Sequence, residues 1–135
     1  MINLALPIID TNLLIPFFAQ EKPFDEVKKI LQNGVYINDY IVCETLNFLQ
    51  NKYSVNASMV AQKFLFQKSD IFNFLHIDGD IRRLASVIRV KFADNKFSFT
   101  DSLMLAQAQI YDLKVLTQEW SMQNYKPVRV ENPLV

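Results

Sequence analysis

Four acidic residues stand where a chain of this kind can do chemistry: Asp10, Glu44, Asp101 and Glu119. Asp10 ends the apolar run Leu4-Ala5-Leu6-Pro7-Ile8-Ile9 and is followed by a hydroxyl, Thr11, and an amide, Asn12. A buried strand that stops at a carboxylate delivers that charge to one edge of a sheet, the edge where parallel α/β folds hold their ligands. Glu119 repeats the pattern, in Thr117-Gln118-Glu119 after Leu113-Lys114-Val115-Leu116. Glu44 sits among Tyr40, Ile41, Val42, Cys43, Leu46, Phe48 and Leu49, and at helical spacing Ile41 and Phe48 share its face. An ionised carboxylate in such surroundings is costly unless paired or bound to a metal. Asp101 follows Ser98-Phe99-Thr100 at a helix start, which brings its carboxylate to the same sheet edge as Asp10.

Each acid also has a plainer reading. Asp10 can be a helix cap, Glu44 a solvent-facing helix residue, and Glu119 an exposed loop residue. Ser98 and Asp101 have the spacing of a capping box, a role compatible with a place in a site. The remaining acids read as helix starts (Asp25, Glu26, Asp78, Asp80), loop (Asp94) or chain end (Glu131). His76, the single histidine, reads as a strand residue, Cys43 as packing, and Trp120 as either core or surface.

The elements that must position these acids follow from hydrophobic spacing. After Asn12 the apolar positions Leu13, Leu14, Phe17 and Phe18 mark a helix, with Thr11 or Asn12 as its cap. Pro23 to Leu31 is a second helix, stopped by Asn33-Gly34. Val35-Tyr36-Ile37 is a short strand, and Asn38 or Asp39 caps a helix to about Lys52. Ser54 to Lys68 is helical, residues Ile71 to Ile77 read as a strand, and Asp78 caps a helix through Ile81, Leu84, Val87 and Ile88. Phe99 to Tyr111 is helical, and Leu113 to Leu116 and Val128 to Val130 are short strands. Strands alternating with helices predict a mostly parallel sheet of four or five strands with helices on its faces. Pro7 conflicts with a paired strand, so the strand either bulges there or begins its pairing later.

Composition narrows the function classes. With 135 residues the expectation is one domain, 1–135; half of them are hydrophobic and 13% aromatic, which suffices for a core. Two glycines argue against a glycine-rich phosphate loop. Fourteen basic and fourteen acidic residues leave no global electrostatic signature of nucleic-acid binding. One cysteine permits no internal disulfide. No secretory pattern opens the chain, and no apolar run approaches the about 20 residues of a membrane span, so a cytoplasmic protein with no membrane partner is expected.

Four segments together resemble the PIN-domain family, the fold of VapC-type toxin ribonucleases and related metal-dependent nucleases. They are Ile8-Ile9-Asp10-Thr11-Asn12-Leu13-Leu14, the stretch from Asp39 to Leu49 containing Glu44, the stretch from Phe97 to Ala106 containing Asp101, and Val115-Leu116-Thr117-Gln118-Glu119. They occur in order over essentially the whole chain. The resemblance implies a three-layer α/β/α sandwich. It implies that Asp10, Glu44 and Asp101 are the family's three usual acids, catalytic and metal-ligating, with Glu119 in the place of a fourth metal ligand. Asn12 and Thr100 match neighbouring polar positions behind the ligands. Glu119 departs from the family's common Asp, and Met122 stands where an aromatic is usual.

The chemistry expected of such a site is hydrolysis of RNA by a metal-activated water. Hard dications such as Mg²⁺ or Mn²⁺ prefer oxygen ligands, and the ion lowers the pKa of water and stabilises phosphate charge. The family implies products with a 5′-phosphate and a 3′-hydroxyl, and an antitoxin partner. Without metal, crowded carboxylates should have raised pKa values. Arg82, Arg83, Arg89, Lys91 and Lys96 are candidate RNA contacts, or else a solvated helix face. Phe17, Phe18, Phe24, Phe64 and Phe66 supply either an interface, which predicts a homodimer, or an ordinary core. The competing functions are a non-catalytic RNA- or protein-binding module of the same fold, and a phosphotransferase built on a strand-end Asp. The latter commonly needs a second Asp at the position of Asn12.

Overall fold

The computed structural model describes residues 2–135. Five strands form one sheet in the order β3-β2-β1-β4-β5, and every neighbouring pair is parallel. The strands are β1 (Ile8–Ile9), β2 (Val35–Ile37), β3 (Phe72–Phe74), β4 (Val115–Leu116) and β5 (Val130–Glu131). The helices are α1 (Thr11–Ala19), α2 (Phe24–Gln32), α3 (Asp39–Lys52), α4 (Val55–Gln67), α5 (Gly79–Lys91) and α6 (Phe99–Tyr111). Short 3₁₀ turns cover Ala93–Asn95 and Trp120–Asn124.

The chain steps outward from β1 to β2 to β3, then crosses back to β4 on the other side of β1. Right-handed crossovers put helices from steps in opposite directions on opposite faces of the sheet. α1 to α4 accordingly pack on one another, and α5 packs on α6. The expected α/β fold with helices on both faces is what the chain adopts. A sheet covered on both faces needs strands apolar on both sides, and Ile8, Ile9, Val35, Ile37 and Val115 are all fully buried.

Local chemistry sets the helix starts. Asn38 accepts from the Ile41 N–H at 2.9 Å, Ser54 from that of Ala57 at 3.0 Å, and Asp78 from that of Ile81 at 2.9 Å. Asn38 is also buried, and its amide donates to Gln107 Oε1 at 2.7 Å, which ties α3 to α6 across the end of the sheet. Gln107 in turn donates to the carbonyls of Leu75 and His76. Pro7 costs no ladder bond because the first donor the strand needs is the Ile8 N–H, which donates to Lys114, while the Pro7 carbonyl, which proline keeps, accepts from Tyr36 at 2.8 Å.

Several expectations change. β3 is confined to Phe72–Phe74, so His76 lies in the following loop, exposed. Cys43 is exposed, because the buried stripe of α3 runs through Ile41, Val42, Thr45 and Leu49 and turns residue 43 away. Glu131 is not at a loose end; it lies in β5 and pairs with Lys114 at 2.8 Å. Four of the five phenylalanines read as a possible interface pack inside the molecule: Phe17 against Phe18, Phe24 and Phe64, with Phe64 on Phe72. Phe66 alone stays outside, stacked on Phe74. Among the described residues no helix is long and apolar enough to cross a membrane.

Candidate metal centre

The carboxyl end of β1 is the point where successive strands diverge to either side, the place where open α/β sheets form a crevice. Asp10 emerges there, 3% exposed. It is itself the cap of α1, in place of the expected Thr11 or Asn12: its Oδ1 accepts from the Thr11 N–H at 2.7 Å. The other oxygen accepts from Thr117 Oγ1 at 2.7 Å and from Asn12 Nδ2 at 3.2 Å.

Thr117, at the end of β4, is fully engaged. Its hydroxyl oxygen accepts from Asn12 Nδ2 at 3.0 Å and from the Glu119 N–H at 3.0 Å, leaving its single proton for Asp10. Asn12 returns the link, its Oδ1 accepting from the Gln118 N–H at 3.0 Å. α1 also contains Pro16, which has no N–H to give the Asn12 carbonyl four residues before it. Gln118 Nε2 donates to that carbonyl instead, at 2.8 Å. The proline thus opens an acceptor that fastens the loop carrying Glu119 to the helix following Asp10. Thr117 and Gln118 are site-building residues that motif spacing did not single out; the proline inside a helical pattern was the available signal.

Asp101 does two things at once. Its Oδ2 accepts from the Ser98 N–H at 3.0 Å, while its own N–H donates to Ser98 Oγ at 3.0 Å, completing the capping box. The same carboxylate meets those of Asp10 and Glu119: one oxygen from each of the three lies within 4.8 Å of the others. Glu44 lines the same pocket of about 250 Å³, with Thr11, Asn12, Ile15 and Phe48, but it is exposed and stands outside that tight group of three. Thr100 is half-buried in the first turn of α6 and does not line the pocket.

The electrostatics follow from burial and crowding. Asp10 is pushed up to about 7, chiefly by burial and further by the negative charges of Asp101 and Glu44, against the opposing hydrogen bonds from Thr117 and Thr11. Asp101 is raised too, first by burial and then by Glu119 and Glu44, with the Ser98 contacts pulling it down.

The residues present suit a hard dication. Every donor is oxygen, with no cysteine or histidine among the pocket's lining residues. Three carboxylates are held at a spacing that one cation relieves. The buried Thr11 hydroxyl beside them has no hydrogen-bond partner, the kind of orphaned polar atom that marks an incomplete site.

Four of the five basic residues fall into two pairs, and Lys91 stands apart. Arg83 pairs with Asp80 at 2.9 Å, and Arg82 donates to the Ile77 carbonyl, both on the exposed face of α5. Arg89 and Lys96 line a second depression with Ser98, beside the end of α6 that carries Asp101. Lys91 is exposed at the end of α5.

The sequence matches the PIN domain family model over residues 8–126. A comparison with curated proteins finds no match. Among solved structures, the chain is similar to Mycobacterium tuberculosis VapC20, a sarcin-ricin loop cleaving toxin, at 15% identity and TM-score 0.77, covering 93% of this chain and 98% of that one. It is similar to FitAcB from Neisseria gonorrhoeae at 20% identity and TM-score 0.73, covering 96% and 99%. It is also similar to a toxin-antitoxin complex from Klebsiella pneumoniae, at 22% identity and TM-score 0.64, covering 94% and 97%.

Proposed function

Because the chain belongs to the PIN domain family, we propose that it is an endoribonuclease dependent on Mg²⁺ or Mn²⁺, the toxin of a toxin–antitoxin pair. The observation that carries this reading is the meeting, within 4.8 Å, of carboxylates from three separate segments at the edge of the sheet. Asp10, Asp101 and Glu119 hold the ion, and Glu44 closes the pocket from α3. The bound dication supplies Lewis-acid chemistry, lowering the pKa of water and neutralising charge on the phosphate.

The chain's own residues prepare that chemistry. Thr11, Asn12 and Thr117 aim both oxygens of Asp10 and favour its ionised form. The capping box fixes Asp101 to the start of α6. Burial keeps bulk water from screening the carboxylates, so their attraction for a dication is strong. Arg89 and Lys96 are cations available to phosphates near the pocket, because they line a depression with Ser98, whose backbone N–H is bonded to Asp101.

The antitoxin partner is inferred from the solved relative described as a toxin-antitoxin complex. A homodimer is part of the same reading. Val55, Met59 and Phe66 expose more than half their surface on α4, with Phe74 beside Phe66, and grouped apolar side chains of this kind mark contact surfaces. Light scattering at micromolar concentration should give twice the 15.7 kDa chain mass; a monomer there rejects the dimer.

The activity test is cleavage of a panel of structured RNAs. Strand scission is expected with Mn²⁺ and Mg²⁺, none with EDTA, and 5′-phosphate ends on the products. RNA left intact at all dication concentrations, by protein that still binds it, turns the assignment to the non-catalytic binding module.

A further inference from the structure

Trp120 is the only tryptophan in the chain, and it is 73% exposed. It directly follows Glu119, one of the three converging carboxylates. Phe48, 40% exposed, forms part of the pocket wall. The two residues reach this end of the sheet on elements that leave strands on either side of β1. Phe48 lies on α3, which rises from the end of β2; Trp120 follows the end of β4; and β1 runs between those strands. With neighbouring strands about 4.8 Å apart, β2 and β4 are separated by about 10 Å.

Binding RNA at this site poses an electrostatic problem. The pocket is anionic, and fourteen basic residues against fourteen acidic ones give the chain no net attraction for a polyanion. Affinity that does not depend on charge must come from elsewhere. Aromatic side chains supply it, because every base has a face to stack and each stacked base contributes about 1–3 kcal/mol. Folding gains little from an indole left in solvent, and this one stands next in the chain to one of the acids, where a stacking partner would give it a role.

We propose that Trp120 and Phe48 are base-stacking residues that straddle the metal centre. With a phosphate at the carboxylates, one flanking base stacks on the indole and the other on the phenyl ring. Lys52, one turn beyond Phe48 with its ammonium 5.6 Å from that ring's centre, meets the phosphate on the far side. This arrangement rests on the ribonuclease reading and adds to it the groups that position the substrate.

The single tryptophan is its own probe. In Mg²⁺, a phosphorothioate-linked, mixed-sequence octaribonucleotide should quench its emission to saturation. An abasic oligomer of the same length should leave the emission unchanged. By anisotropy of labelled octamer, Trp120→Ala and Phe48→Ala should each weaken binding about 5- to 150-fold, and Trp120→Phe should restore most of the loss. The Mn²⁺-induced rise in melting temperature should be the same in all variants, since none is an ion ligand. Octamer that binds without changing the emission, or Trp120→Ala that binds as tightly as wild type, overturns the proposal and leaves the ribonuclease reading standing. Wild-type protein that neither binds the octamer nor cleaves RNA overturns both. Emission that answers only to a protein partner makes Trp120 a protein-docking residue and also overturns it.

Discussion

Asp10→Asn lowers Mn²⁺-stimulated RNA cleavage by more than about 100-fold and abolishes the stabilisation of the protein by Mn²⁺. Removing a partner behind a metal ligand typically costs 10- to 100-fold in affinity or activity, so removing the ligand's charge costs more. The fold survives because the substitution keeps the shape of the side chain. Asn Oδ1 can accept from Thr117 and Asn12, but its amide then faces the Thr11 N–H, and the α1 cap is lost at about 1 kcal/mol. Against that loss, the metal-free protein at pH 8 no longer buries a carboxylate among other acids. The variant's metal-free melting temperature at pH 8 therefore rises above that of wild type. Initial cleavage rates and melts with and without Mn²⁺ check both halves; a variant that cleaves within tenfold of wild type removes Asp10 from the centre.

Metal-free wild-type protein loses about 4 kcal/mol of stability between pH 4 and pH 8 through Asp10. Its carboxyl titrates near 3.8 in the unfolded chain and at about 7 in the folded one. Between those values the folded state holds a proton that the unfolded state has released, so stability falls as pH rises through the window and levels off above about 7. A difference of about three pKa units corresponds to about 4 kcal/mol, and at 3% exposure solvent screens little of it. Asp101, raised for the same reasons, acts in the same direction. Mn²⁺ inverts the dependence, because the ion competes with the proton and binds the ionised carboxylates. Urea unfolding at pH 5 and pH 8, each in EDTA and in Mn²⁺, measures the four stabilities. Metal-free protein that is more stable at pH 8 than at pH 5 contradicts the burial of charge at Asp10.

Much of this molecule was legible as a string of residues because its determinants are local. Helical spacing, the polar caps Asn38, Ser54 and Asp78, and the apolar runs around Ile8, Val35 and Val115 each act within a few residues, and each element formed close to where they pointed. The sheet edge that carries Asp10 was legible for the same reason: an apolar strand ending in an acid is a local pattern. What folding alone decided is distance and burial. Glu44 and Glu119 both come to the pocket, yet the tight group contains Glu119, held there by a loop that Thr117 and Gln118 pin to α1, while Glu44 remains exposed on α3. The link from Pro16 through the Asn12 carbonyl to Gln118 joins residues about a hundred positions apart, which no periodicity encodes. Cys43, Phe66 and Trp120 lie outside while Phe17, Phe18 and Phe64 pack against the core, because burial depends on which faces the neighbouring helices cover. Type and order of elements are properties of neighbouring residues; the pKa of Asp10 and the company it keeps are properties of the packed whole.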